Sequence, residues 1–235
     1  MRPIARRANA ASGAISIGAT TTFRDLRGHP AVTAHLPLLA KAACWIGSIA
    51  NQSRATIGGN LVNGSPAADS SPALLVYDAE VELISARGSR RIPYKEFHTG
   101  YKSNAMAADE LLFAIHLPIP PAHIHQYLRK VGTRRAMAVA KVALAATALC
   151  EDGVVTEIRI AAASLAPCPA RLYQTESSLR GRSLDPAAIR NARAALLQEA
   201  RPIDDIRSTA VYRKCVAANL LEEFLHGLCA EGAPR

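Results

Sequence analysis

Aromatic residues are scarce in this chain, 5% of its 235 positions, and acidic residues are outnumbered: 28 lysines and arginines face 19 aspartates and glutamates, a net charge of +9. A nucleic-acid-binding surface concentrates such charge in one stripe with aromatics interleaved. Here the 22 arginines are scattered, and the densest spots, Arg87 to Arg91 and Arg129 to Arg135, are short enough to be solvated faces. The charge suits an acidic partner subunit or an anionic ligand better. No apolar run reaches the ~20 residues that span a bilayer; the longest, Ala136 to Cys150, is mostly alanine and carries Lys141. The N-terminal arginines, Arg2, Arg6 and Arg7, are not followed by the apolar core of a secretory signal, so the expected location is cytoplasmic. The five cysteines show no Cys-x-x-Cys spacing, which removes sequence support for a zinc knuckle or an iron–sulfur site and leaves buried free thiols as the expectation. No Ser/His/Asp, Cys/His or paired-carboxylate signature is present either.

What is present is a glycine- and asparagine-rich stretch between two apolar segments: Thr56-Ile57-Gly58-Gly59-Asn60, continuing through Asn63-Gly64-Ser65-Pro66 to Asp69. Glycines permit close approach of the backbone. Free N–H groups in such a loop can form an anion nest, with Thr, Ser and Asn adding hydrogen bonds to phosphate or ribose. Asp69 accepts only, which suits a ribose hydroxyl or an amino group. Taken alone, the pentapeptide is equally the chemistry of a tight turn.

The surrounding pattern mixes strands and helices. Ala14 to Gly18 reads as a strand, and Thr22-x-x-Asp25 as a capping box opening a helix. Leu36, Leu39, Ala43 and Ile46 recur at helical spacing, predicting an amphipathic helix over 35–47. Pro72 to Ala86 turns to β character, with Val81, Leu83 and Ser85 alternating. Leu111 to Leu117 is a further strand. The proline-rich Pro118-Ile119-Pro120-Pro121 reads as a linker, dividing the chain into residues 1–120 and 121–235. In the second part Glu151-Asp152-Gly153 marks a hairpin, with Ile158, Ile160 and Ala162 on one face and Glu157 and Arg159 on the other. A helix from Ala170 to Leu179 is followed by one opened by Asp185-Pro186, with Ile189, Ala192, Leu196 and Ala200 inside. A last helix, capped by Ser208, places Val211, Cys215, Ala218 and Leu225 inside and ends near Gly227. The class is α+β, strands packed with helices.

Both parts together resemble one family, the FAD-binding (medium) subunit of the molybdenum hydroxylases, the relatives of xanthine dehydrogenase, carbon monoxide dehydrogenase and aldehyde oxidase. In the first part the residues that carry the likeness are Ala55 to Asn60, Gly64 to Asp69, Pro72 to Leu75, Asp78 to Leu83, Glu110 to Leu112 and Ile115 to Pro118. In the second they are Arg135-Ala136, Ala140 to Val142, Asp152-Gly153, Ala166-Pro167, Leu179 to Gly181, Pro202 to Asp204, Arg207-Ser208 and Tyr212-Arg213. The resemblance implies a PCMH-type FAD-binding domain followed by a small α+β C-terminal domain. It implies that Thr56, Ile57, Gly58, Gly59 and Asn60 hold FAD around its phosphates and ribityl chain, and that Asp69 accepts from the adenosine part. It also implies that Leu112 or its neighbour Leu111 packs near the nucleotide, that Lys141 reaches toward the flavin from the second domain, and that Ile46 is an apolar neighbour of the flavin. The implied partners are a molybdenum-cofactor large subunit and an iron–sulfur small subunit, with NAD⁺, oxygen or a quinone as electron acceptor. Members of the family also carry an N-terminal subdomain with a second glycine-rich loop of the Ala-Gly-Gly-Thr-Asp type. Asn9 to Gly13 does not match it, so the expectation is a partial FAD domain with one wall of the cradle, or else a partner-binding remnant without flavin.

Overall fold

The computed structural model describes residues 13–231. Arg2, Arg6, Arg7 and the segment from Asn9 to Ser12 lie outside the described residues. In chain order the first half runs β1 (Ala14–Gly18), α1 (Phe23–Gly28), α2 (Pro30–His35), α3 (Pro37–Ala43), α4 (Ile49–Arg54), α5 (Ile57–Val62), α6 (Ser71–Val76), β2 (Glu80–Ser85), β3 (Gly88–Pro93), β4 (His98–Gly100), β5 (Ser103–Asn104) and β6 (Leu111–Pro118). The second half runs β7 (His125–Val131), β8 (Val142–Glu151), β9 (Val154–Ala163), β10 (Ala170–Arg171), α7 (Tyr173–Leu179), α8 (Pro186–Glu199) and α9 (Ala210–Glu231). The strands form two four-stranded antiparallel sheets, ordered β1-β6-β2-β3 and β10-β9-β8-β7, with β4 and β5 as a separate small ribbon.

The first sheet follows the expected alternation. Ile17 and Val81 both lie opposite Ile115 on the central strand β6, Ile15 lies opposite Leu117, and all five are buried. Charged and polar partners occupy the other face: His116 bonds Glu82 through Nε2 and Ser16 through Nδ1, both at 2.7 Å.

The second sheet is covered on both sides, so β8 is buried continuously from Val142 to Ala148 rather than alternately. Leu144, Ala146 and Ala148 with Ile158, Ile160 and Ala162 face a core shared with α8 and α9. Ala145 and Ala161 face the other way, into the core of the first half. Small side chains on that face let α6 pack directly on β8 and β9. The alanine-rich run is therefore a contact surface between the two halves. The hairpin at its end is as expected: Asp152 (φ 50) and Gly153 (φ 76) form the two-residue connection with both φ positive.

Several local expectations are corrected. The helix expected over 35–47 is broken at Leu36 (φ −128, ψ 53), which precedes Pro37 and is sterically turned out of the α region; α3 then ends at Ala43. Pro72 to Val76 is helical, not strand. α6 is buried on every side and so shows no amphipathic period, and it ends where Asp78 turns to φ 49. Ala170-Arg171 is a short strand beside β9, and α7 begins only at Tyr173. Ser208 pairs with Asp205, and Thr209 is the residue whose Oγ1 accepts from Tyr212 N at the start of α9. The buried face of α9 includes Ala218 and Leu225, but Val211 is 73% exposed and Cys215 is exposed, and the helix continues past Gly227. The thiols are free but not buried: Cys44, Cys215 and Cys229 are exposed, Cys150 and Cys168 half-buried. Among the described residues no helix is long and apolar enough to cross a membrane.

Candidate functional site

The stretch that the sequence presents as a flexible loop is for the most part a short helix. Thr56 is its N-cap (φ −100, ψ 155), and its Oγ1 accepts from Gly59 N at 3.1 Å. The preceding amides are also taken: Ile57 N donates to Thr21 O at 3.0 Å and Gly58 N to Ala19 O at 2.9 Å. Gly58 is glycine because α5 lies against the chain leaving β1. A Cβ there would sit 2.6 Å from Ala19 Cβ and 2.8 Å from Ala19 O. Ala19 N in turn donates to Phe113 O, so Leu112 is one residue from the strand atom that anchors this contact. The three amides offered as a phosphate nest are therefore satisfied inside the protein. Gly59, exposed, with Thr56 and Asn60, half-buried, carry the accessible surface of the pentapeptide.

Past α5, Gly64 adopts φ +60 against the backbone of Lys102, and the segment from Ser65 docks on the second half. Ser164 N donates to Pro66 O at 2.8 Å. Asp69 then meets a lysine, but not the expected one. Lys130 Nζ, from β7, lies 2.6 Å from Asp69 Oδ2 and 3.3 Å from the Trp45 carbonyl; the two charged side chains keep 8% and 10% of their exposure. Next to Asp69, Ser70 Oγ donates to Asn60 Oδ1 at 2.7 Å. These contacts join Trp45, Lys130, Asp69, Ser70 and Asn60 into one polar assembly reaching from β7 to α5.

Asp69 is the chemically distinctive member. Burial pushes its carboxyl up to about 6, against the opposing pull of Lys130. Its Oδ1 is buried and accepts no hydrogen bond from any described residue. A buried acceptor without a donor is uncommon in a folded protein. Here it fits a hydroxyl or amino group of a bound nucleotide. Asn60 has a carboxamide nitrogen available on the same assembly. The site thus fits the adenosine end of FAD through Asp69 and supplies no phosphate nest through α5.

The remaining predicted residues divide. Ile46 is half-buried on the first core, one residue from the carbonyl that holds Lys130. Leu112 is half-buried, packed on that core opposite Leu83, while Leu111 is 68% exposed. Lys141 is redirected: its ammonium lies 5.1 Å from the ring centroid of Tyr212, over α9. Lys130 is the cation that crosses to the Asp69 assembly. No local signal marks it: Lys130 shares a face of β7 with Leu128, and pairing with Ala143 of β8 settles its register.

Comparison with known proteins places both halves of the chain in one family. Residues 3–120 match the family described as the FAD binding domain in molybdopterin dehydrogenase, and residues 127–228 match the CO dehydrogenase flavoprotein C-terminal domain. The chain belongs to the FAD-binding subunits of the molybdopterin dehydrogenases. Within this family it is similar to the xanthine dehydrogenase FAD-binding subunit of Escherichia coli O157:H7, 33% identical over 205 residues that cover 87% of this chain and 70% of the relative. It is 28% identical to the carbon monoxide dehydrogenase medium chain of Hydrogenophaga pseudoflava, over 93% of this chain and 76% of that one. The solved structure of the carbon monoxide dehydrogenase from Hydrogenophaga pseudoflava that lacks the Mo-pyranopterin moiety of the molybdenum cofactor superposes with a TM-score of 0.88 at 29% identity, covering 94% of this chain and 77% of that one. The flavoprotein-subunit fold thus spans nearly all the described residues.

Proposed function

We propose that this chain is the FAD-binding electron-transfer subunit of a xanthine dehydrogenase-like, molybdopterin-dependent dehydrogenase. It would work beside a molybdenum-cofactor large subunit that oxidises the substrate and an iron–sulfur small subunit that delivers the electrons. FAD, when bound, supplies the redox chemistry, accepting electrons from the clusters and passing them on to an acceptor such as NAD⁺. The chain's own residues bind and orient. Asp69 Oδ1 would accept from the adenosine portion, while Lys130 holds the other carboxylate oxygen and so keeps Oδ1 turned to the ligand. Asn60, fixed by Ser70, would add a donor, and Gly59 would allow close backbone approach. Ile46 and Leu112 would provide apolar surface beside the flavin. The observation that carries this reading is the buried, unpartnered acceptor on Asp69 in a chain of this family.

The test is direct. The chain, purified alone and with its two partner subunits, is incubated with FAD and desalted, and bound flavin is read from its visible absorbance. Flavin retained in either preparation supports the proposal. A colourless protein in both, with the subunits assembled, sinks it and leaves the chain a partner-binding module.

A further inference from the structure

Two loops far apart in sequence meet beside the start of α9. Arg213, only 3% exposed, donates from Nη1 to the Lys141 carbonyl at 2.8 Å and from Nη2 to Asp205 Oδ1 at 2.7 Å. Asp205 also accepts from the amides of Arg207 and Ser208, which fixes the 201–209 loop. In the 132–141 loop, Arg134 donates to the carbonyls of Ala136 and Met137. Both loops are thus held in defined shapes by internal bonds.

What they hold outward is apolar. Met137 is 57% exposed, Val139 49%, Ile203 68%, Ile206 99%, Val211 73% and Tyr212 43%. These six are half of the twelve large apolar side chains exposed among the described residues. Met137 sits at φ 53, a left-handed conformation that a methionine rarely adopts. The same two loops and their ends carry four exposed arginines, Arg134, Arg135, Arg201 and Arg207, the last paired with Asp205, against one exposed carboxylate, Asp204.

We infer that this face docks a partner polypeptide with an apolar centre and a carboxylate-rich rim. Internally bonded loops that present apolar side chains together with exposed arginines match the composition of a protein interface, where methionine, tyrosine and arginine are enriched. Single-stranded nucleic acid would need stacking platforms, and the one aromatic here, Tyr212, already lies under Lys141. An anionic membrane would draw on the same arginines, and the vesicle measurement below separates it from a protein partner. The inference rests on the heteromeric reading above and specifies which face would carry the contact.

Ile206→Asp and the double variant Ile206→Asp/Val211→Asp test it, in the full chain co-expressed with the molybdenum-cofactor and iron–sulfur subunits. Ile206 and Val211 are too exposed to support the core, so circular dichroism and flavin content should match wild type. The expected result is a loss of tenfold or more in assembly affinity, measured by mass photometry across a dilution series, while Ile49→Asp, at a similarly exposed position on α4, stays within twofold of wild type. Variants that assemble within twofold of wild type overturn the inference. So does a wild-type chain that retains FAD but forms no complex, which would leave the cofactor reading standing. Loss of binding to phosphatidylserine vesicles or duplex DNA in the variants, with assembly unchanged, would also overturn it. A wild-type chain that neither holds FAD nor assembles would remove both.

Discussion

Replacing Lys130 with methionine isolates the electrostatics at the centre of the candidate site. The wild-type pair is buried, and Asp69 titrates at about 6 against an ordinary carboxylate value of 3.8. A carboxyl whose folded value is raised binds protons more tightly in the native state than in the unfolded chain. Stability therefore falls as pH rises from 3.8 to 6 and is flat, as far as this group is concerned, above that. The difference of 2.2 units corresponds to about 3 kcal/mol. In Lys130→Met the opposing cation is gone, so the carboxyl stays protonated to higher pH and the decline continues past 6. At pH 5 both proteins carry a neutral Asp69, and the variant differs only by local packing. Between pH 6 and 7 the gap should widen by about 1 kcal/mol, since the variant loses nearly a full unit's worth of proton binding while the half-titrated wild-type group loses only its last share. Urea unfolding of both proteins at pH 5, 6, 7 and 8 measures this, because titrations common to both cancel in the difference. A gap that stays constant across that range, or a variant as stable as wild type at pH 8, would refute the account of a buried pair strained by desolvation.

Other outcomes are as specific. Asp69→Ala should weaken FAD binding by roughly tenfold or more, the equivalent of losing a hydrogen bond to a charged group, whereas Lys141→Ala, whose ammonium faces Tyr212, should leave it within about twofold; flavin titration followed by fluorescence quenching separates them. Gly58→Ala drives a methyl into the Ala19 backbone and should cost about 1–3 kcal/mol. Gly59→Ala, which meets only the Thr56 hydroxyl, should fall within about 1 kcal/mol of wild type, because helix propensity offsets a disturbed cap; paired thermal melts check the contrast. Glu176→Ala removes the acceptor of Ile160 N and the bidentate partner of Arg171 inside the second half, and should cost about 3–5 kcal/mol in urea unfolding. Glu176→Gln should recover part of that loss.

Much of the second half could be read from local pattern. Asp152-Gly153 specifies a turn with both φ positive, Asp185-Pro186 a helix start, and the alternation along β9 its two faces, because each of these signals acts between near neighbours. α6 escaped that reading. A helix buried on all sides has no polar stripe, so its period is invisible and its leucines and valine pass for strand residues. Lys130 escaped it for a different reason: its partner is 61 residues away.

Taken by itself, the amino-acid sequence determined the family and the α+β class and marked out a candidate cofactor region, since these rest on motif identity and on short-range chemistry. Only the tertiary structure decided how that region is built. Packing of α5 against Ala19 consumed the amides of Ile57 and Gly58 and turned a supposed phosphate nest into a capped helix. The antiparallel register of β7 on β8 chose Lys130 over Lys141, since which cation reaches Asp69 depends on how the segment between α5 and α6 docks on the second half, a placement that no local pattern encodes.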